Sequence, residues 1–479
     1  MPQYQSVQLP PRLPLAVTTS NRNTSVSKDA RLVNCYAEID KTEVISIFKR
    51  PGMELALTPP GAASPGRGVF FWNGNVISIF GDKMYADGLQ VAAGLDTTIG
   101  GTNTPFGGVY SFSSIIGATP KIVLHNGIGA YAWDGINPIS ASLHTLDPDY
   151  PIETVKGWAY LNGAQYVMEP SSVIWGSRPN SVTAADSWDP INFISANDEP
   201  DNGVAIVKQL VYVVAMNQWS TEILFDAGNP VGSPLGKVQG SKLDYGCVHA
   251  DSVQKIDDKT VWLTISRGSS PQIGVLQGLT FNIVSTPAID RLLRGVDLAR
   301  IMSWQAKIVG HTFYVITFPL SNLTLVYDIE LDHWAQWTDD VGNYVPIIAS
   351  TFDNARNVIL QHESNGTLLK FSIDAFTDVG KAIQVDIITP VFDAQTRRRK
   401  QLNRMEFVAD QELGSVLQVR NSDDDYQTWT TWRRVDLGAK RPHLVNCGTF
   451  SKRAYHFRHR QNLPFRIYAI ELQYDIGVL

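Results

Sequence analysis

Cysteine is scarce. The 479 residues hold three, Cys35, Cys247 and Cys447. They are far apart, odd in number and free of any Cys-x-x-Cys spacing. A disulfide framework or a thiolate zinc site is not expected from such a set. Three reduced thiols in a chain assembled in the cytosol is the simplest reading. Long apolar runs are missing too. None approaches the ~18–20 residues of a membrane span, so no membrane partner is expected. The first residues, MPQYQSVQLPPRLPLAV, lack a basic start followed by an apolar core, so they do not read as a secretory signal. Charge is sparse, at 18% of residues, with a formal net charge of −6. It is also uneven. From Lys381 onward there are 16 Lys and Arg against 11 Asp and Glu, so the acidic excess sits in the rest. A mostly acidic body argues against a general nucleic-acid binder, which needs a basic surface for phosphates. It is compatible with a channel through which DNA slides without being held. Signatures of catalysis are absent as well: no G-x-S-x-G elbow, no P-loop, no H-E-x-x-H. No catalytic residue, cofactor-binding residue or metal ligand is assigned, and no cofactor is expected.

What is present suits short strands and tight turns, with Gly 37, Pro 26 and Trp 12. The stretch His311 to Trp337, HTFYVITFPLSNLTLVYDIELDHWAQW, reads as three strands broken at Ser321-Asn322 and before His333. Runs this short, rich in β-branched and aromatic residues, are too short for helices. Much of the chain repeats this unit. Asn73-Gly74, Asn126-Gly127, Asn162-Gly163 and Asn365-Gly366 each separate apolar runs, and Asn-Gly is the strongest short hairpin signal because the turn needs positive φ at both central residues. One inner strand per unit gives anchors at Val76, Ile122, Tyr166, Tyr212, Trp262, Phe313 and Val358. They are spaced 44 to 51 residues apart. That spacing, with about four strands per unit, is the sequence signature of a β-propeller. Seven blades are expected, with six as the alternative count, and a plain sandwich or solenoid as the competing architecture.

The fold class is therefore all-β: a β-propeller, a C-terminal β-sandwich-like domain and a small inserted helix. Residues 1–64 read as an extended N-terminal arm with strands. Pro2, Pro10, Pro11 and Pro14 favour extended backbone, and Thr18 to Ser27 is mostly polar. Such an arm needs a surface to lie on, its own body or a neighbouring subunit. Residues 65–383 form the propeller. Within it, 286–304 carries apolar residues at helical spacing after Thr286-Pro287, a cap and first-turn pair. Residues 384–479 alternate with period two over about six strands and form the sandwich.

Few residues invite a functional role. Arg397, Arg398, Arg399 and Lys400 form the one basic run. It reads as a solvated loop first, then as a protein interface, then as a DNA contact. Arg453, Arg458 and Arg460 lie on a second basic strand, where alternation puts His456, Arg458 and Arg460 on one face. SDDDYQTW (422–429) resembles the Asp-box hairpin of sialidase-type propellers through Ser422, Asp424, Thr428 and Trp429, but Tyr426 stands where the box has Gly. A self-bonded hairpin is the reading favoured over calcium binding. Asp134, Asp226 and Asp328 follow similar strands and read as turn braces rather than a catalytic set.

In order along the chain stand LVNCYAE, FKRPGMEL, GRGVFFWNGNVISIFGDKMYADG, QWSTEILFDAG, LVYDIELDHWAQW, TPVFD, SDDDYQTW and FRIYAIEL. This series resembles the tail-hub or nozzle proteins of short-tailed bacteriophages (podoviruses), the packaged-DNA stabilisation proteins. The likeness runs from about Leu32 to the C-terminus and leaves out the Pro-rich start. It implies a non-enzymatic virion structural protein of the tail, assembled in the host cytoplasm. It implies a homohexameric ring below the portal-adaptor ring, extending the DNA channel, retaining packaged DNA until ejection, and holding tail spike or fibre proteins and a tail plug. DNA would pass without sequence-specific binding. The alternative from another class is a propeller glycan-binding protein or glycosidase, suggested by the Asp-box-like hairpin and the tryptophans.

Overall fold

The computed structural model describes residues 11–16, 18–19, 30–39, 45–59, 64–96, 98–99, 102–103, 109–117, 119–139 and 141–477. Strands dominate throughout. The chain divides into two compact units. One comprises Leu55–Asn322 and Pro346–Lys370. The other gathers three separate segments, Met1–Glu54, Leu323–Val345 and Phe371–Leu479. This division departs from the linear one expected from sequence. Strands at both ends of the chain, and the second half of the 311–337 stretch, belong to one unit.

The first unit is the propeller. Among its described residues, the strands group into seven successive blades, besides a two-stranded pair of Thr98–Ile99 with Thr102–Asn103. Blade 1 runs Gly66–Trp72, Asn75–Phe80, Lys83–Ala86 and Leu89–Ala92. Blade 2 has Ser111–Ile115, Lys121–His125 and Ala130–Trp133. Blade 3 starts with Ala159–Leu161 and Ala164–Met168, and blade 4 with Gly203–Gln209 and Tyr212–Asn217. Blade 5 centres on Lys259–Ile265. Blade 6 contributes Met302–Ile308 and His311–Phe318, and blade 7 Ile347–Phe352, Val358–His362 and Leu368–Ser372. All seven sequence anchors fall in strands that lie second in their sheets, not first. The hairpin logic holds at Asn73-Gly74 and Asn162-Gly163, whereas at Asn126-Gly127 and Asn365-Gly366 only the glycine takes positive φ. Asn73 and Gly74 both take positive φ, 48° and 86°, the twist that matches two flanking strands.

Glutamines fasten blade to blade. Gln165 Nε2 donates to Ser114 O at 2.9 Å, joining blades 3 and 2. Gln209 Nε2 reaches Asp258 O at 2.7 Å, joining blades 4 and 5. Gln254 Nε2 reaches Ser303 O at 2.9 Å, joining blades 5 and 6. Ser350 Oγ donates to Gln305 O at 2.8 Å, joining blades 7 and 6. Gln361 then closes the ring. Its Oε1 accepts from Gly68 N at 2.7 Å and its Nε2 donates to Ile79 O at 2.8 Å. Between these polar fasteners the blades pack apolar faces, for example Val214, Met216 and Ile223 against Trp262 and Leu276.

The helical expectation for 286–304 is corrected. The helix is only Pro287–Leu293, capped by the Thr286 side chain. Trp304 already lies in the strand Met302–Ile308. Of the apolar residues at helical spacing, Ile289, Leu292 and Leu293 lie in the helix, while Val296, Leu298 and Ile301 lie beyond it.

The second unit packs two sheets. One orders Leu323–Asp328, His333–Gln336, Arg31–Val33, Val385–Ile388, Ala454–His459, Val416–Ser422 and Arg433–Asp436. The other orders Cys35–Ile39, Ile45–Lys49, Arg466–Ile476, Lys400–Ala409 and His443–Val445. Lys400–Ala409 alternates buried Leu402, Met405 and Phe407 with outward residues, as a half-buried strand must. Phe407 meets Phe457 of the other sheet edge to face at 5.9 Å. The N-terminal arm lies on this same unit where it is described. Leu13 N donates to Ile470 O and Leu472 N to Pro11 O, both at 2.9 Å. Most of Thr18 to Ser27, together with Pro2, Pro10 and the Lys41 turn, lies outside the described residues.

A buried arginine organises the entry of the chain into this unit. Arg50 makes a two-pronged contact with Asp378, at 3.0 and 2.5 Å. Its Nε donates to Asn34 Oδ1 at 3.0 Å, and Trp337 lies 5.5 Å from the guanidinium. Three sequence-distant segments are thereby tied to one side chain.

Candidate functional site

The densest constellation of polar and aromatic groups lies on one face of the sandwich unit. Ala454–His459 turns Tyr455, Phe457 and His459 one way and His456 and Arg458 the other. Arg420 stands opposite His456 on one neighbouring strand. Asp386 stands opposite Arg458 on the other. Asp386 accepts from His456 Nε2 at 2.6 Å, Arg458 Nε at 2.6 Å and Gln384 Nε2 at 2.6 Å. Burial opposes its charge, but these donors prevail and hold the carboxyl well below the usual range. The Arg420 guanidinium is layered between two indoles, 5.0 Å from Trp429 and 4.4 Å from Trp432. Arg458 covers Trp432 at 4.9 Å. Stacked, paired cations of this kind are rigid, because each packing contact also orients the hydrogen bonds.

The hairpin of 422–429 supports that face. Asp424 Oδ1 accepts from Thr428 N at 2.9 Å and Gln427 N at 3.1 Å, and Ser422 Oγ donates to it at 2.8 Å. Hydrogen bonds from Thr428 and Ser422 bring the Asp424 carboxyl down to about 2. Tyr426, in the Gly position of the box, takes φ 66°. The left-handed conformation costs a non-glycine residue ~1–2 kcal/mol. The tyrosine offsets this by burying its ring and donating to Thr389 O at 2.9 Å. Trp429 packs against Tyr426 and His456, at 6.0 and 5.5 Å. The Asp424 carboxylate is spent on the turn and that of Asp423 on Arg453, and among the described residues no group of three His, Cys, Asp or Glu could hold a metal ion.

The basic residues singled out from sequence separate into two kinds. Arg397, Arg398 and Arg399 are exposed on the loop before Lys400–Ala409. Lys400 is buried and donates to Ser451 O at 2.7 Å. Arg453 is also buried. It grips Asp423 at 2.6 and 2.8 Å and covers Phe450 at 4.5 Å. Arg458 belongs to the Asp386 cluster, and Arg460 donates to Gln384 Oε1 at 2.7 Å. The structure does not bring all seven together. Asp386, Arg420 and Trp432 were not singled out from sequence. They converge across strands, with Asp386 and Arg458 72 positions apart, and no local spacing announces that.

Other candidates prove structural. Asp134 Oδ1 accepts from Ile136 N and Asn137 N at 2.9 and 2.8 Å. Asp226 Oδ1 accepts from Gly228 N at 2.9 Å, and Asp328 Oδ1 from Glu330 N at 3.0 Å. Each braces its own turn. The three cysteines are free, and burial pushes the Cys247 thiol up to about 12, which disfavours the reactive thiolate.

Comparison with known proteins gives the following. Among solved structures the chain is similar to the streptogramin B lyase structure, 10% identical with a TM-score of 0.41, over 67% of this chain and 98% of that one. It is similar to the WD40 beta propeller domain of Doa1, 11% identical with a TM-score of 0.41, over 67% of this chain and 97% of that one. Likenesses at this level carry no argument about activity. No curated protein matches the sequence. Residues 12–350 match the family described as "Bacteriophage P22 Gp10, beta-propeller". The chain belongs to this family, and is a β-propeller phage structural protein of the DNA-stabilisation class.

Proposed function

We propose that the chain forms the hub or nozzle ring of a short phage tail. About six copies would close by a heterologous contact, the same two unlike surfaces meeting around the ring. The ring would sit below the portal and its adaptor subunits, extend the DNA channel, retain the packaged genome until ejection, and carry spikes or fibres and a plug. The family match over residues 12–350 carries this reading. The acidic balance of the chain supports it, since a wall of like charge keeps the DNA backbone from sticking. Arg397, Arg398 and Arg399 supply an exposed cationic loop suited to a carboxylate-rich protein surface. The tail position, the ring and every named partner are part of the proposal.

The test uses DNA-filled heads that carry portal and adaptor but lack this protein. Purified chain is added, the heads are sedimented, and bound copies and DNA leakage are measured. Saturation near ~6 copies per head with reduced leakage is the expected result. A folded chain that neither binds nor changes leakage would overturn the hub reading. Charge reversal of Arg397, Arg398 and Arg399 to Glu should weaken head binding without lowering the melting temperature.

A further inference from the structure

Residues from blades 1 to 5 line a cavity of about 520 Å³. Its walls come from Phe70, Phe112, Tyr160, Lys208, Gln254 and Lys255 among others. The volume lies within the ~300–1,000 Å³ typical of small-molecule sites. Its chemistry is cationic and aromatic. Phe70 and Phe112 stack at 5.5 Å with 7° between their planes, and Phe112 and Tyr160 remain half-exposed. Lys208 Nζ lies 5.5 Å from the Tyr160 ring. Lys156, also on the wall, is neutralised by Asp251.

Lys208 and Lys255 differ from Lys156. Among the described residues neither has a carboxylate partner. Lys255 is exposed as a whole residue, but partial burial of its ammonium beside the cavity wall, with the Lys208 charge adding to it, holds that ammonium below the ordinary range. Two cations facing one opening, each disfavouring the other, are a cost to the folded chain. Such a cost is expected at a site arranged for a ligand rather than for stability. A carboxylate on either strand would have relieved it.

We propose that this cavity binds a small phosphate ester with a planar body, its phosphate between Lys208 and Lys255 and its plane against Phe112 and Tyr160. A phosphate supplies the negative charge the two ammoniums lack. A planar body uses the half-exposed rings, which a bare anion would leave wet. Adenosine monophosphate is the simplest probe of that class. This proposal does not depend on the hub reading.

Calorimetric titration of the full chain with adenosine monophosphate, inorganic phosphate and adenosine is the test. Saturable binding of the monophosphate is expected, at least about tenfold tighter than either fragment and weaker as salt rises. Lys208→Gln and Lys255→Gln should each cost about tenfold in affinity. Both variants should melt no lower than the parent, because each removes a repulsion. No saturation by any probe up to ~5 mM, which is weaker than about 3 kcal/mol of binding, would overturn the proposal. So would unchanged affinity in both variants, or phosphate binding as tightly as the monophosphate. Because the assay needs no heads, its failure and that of the hub reading are separate.

Discussion

His456 contacts its neighbours through two different nitrogens. Nε2 lies 2.6 Å from Asp386 Oδ1, and Nδ1 lies 3.1 Å from Arg420 Nε. A guanidinium can only donate, so Nδ1 must carry the lone pair and Nε2 the proton. The ring is therefore neutral while it bridges an anion and a cation. Glutamine can reproduce that pattern, with one acceptor for Arg420 and one donor for Asp386; alanine cannot. His456→Ala should cost about 2 kcal/mol, because it removes one of three donors to the buried Asp386 and the acceptor for the half-buried Arg420, and His456→Gln markedly less. Urea unfolding of both variants checks this. Equal losses would mean the imidazole acts by packing alone.

Acid should unfold the chain earlier than ordinary carboxylates would allow. Burial lowers His125 to about 4 and, with Lys49 adding to burial, His459 to about 3. Burial also lowers His456, against the opposing pull of Asp386. A histidine kept neutral in the fold takes up its proton in the unfolded chain first. Stability from these groups is therefore complete above the unfolded value near ~6.5 and lost as pH falls toward the folded value. His125 alone is worth about 3 kcal/mol over that window. Asp386, depressed in the fold, extends the loss to lower pH. Urea midpoints should fall from about pH 6.5 downward. A flat profile down to about pH 4.5 would contradict the buried neutral histidines.

Asp378→Ala should be among the most damaging single changes in the sandwich unit. The Arg50 side chain is fully buried. Removing its two-pronged partner strands a guanidinium away from water, at a cost of about 3–5 kcal/mol. Arg50→Met with Asp378→Leu should recover much of that, since no buried charge is then left alone. A double-mutant cycle by chemical denaturation gives the comparison. Additive losses in the pair would show that the two side chains do not depend on one another.

The propeller was legible because its signals are local. Asn-Gly turns recur in blades 1, 2, 3 and 7 and short strand runs in every blade, so the seven anchors fell on corresponding strands without knowledge of any contact. The sandwich was only half legible. Its C-terminal strands alternate visibly, but Arg31–Val33 and His333–Gln336 enter it from far away in sequence. Their pairing is parallel and set at Val33 and Gln336, which no turn could encode. The four basic residues of 397–400 look alike as a run. Burial divides them, because Lys400 begins a strand and can reach backbone carbonyls while its neighbours stay in the loop. Asp386 looked like any strand carboxylate until three donors from other positions converged on it.

Ring closure should rest heavily on Gln361. The side chain is fully buried, and it is the acceptor for Gly68 N and the donor to Ile79 O. Blade 7 thereby holds the first two strands of blade 1. Gln361→Ala leaves one amide hydrogen and one carbonyl oxygen without partners inside the ring. At about 1–3 kcal/mol for each buried orphan, a loss near 3 kcal/mol is expected. Gln361→Glu is the sharper probe, being the same size and able to accept from Gly68. At neutral pH its carboxylate faces Ile79 O with no proton to offer and is desolvated besides. Its pKa in the fold must then lie above that of the unfolded chain, so protonation favours the fold. The deficit of Gln361→Glu against the parent should therefore shrink as pH falls from about 7 to 5, while that of Gln361→Ala stays constant. Hydrogen exchange at Gly68 reads the closure directly. Unchanged protection there in both variants would mean that apolar packing of Val69 and Phe80 against Ile359 closes the ring by itself.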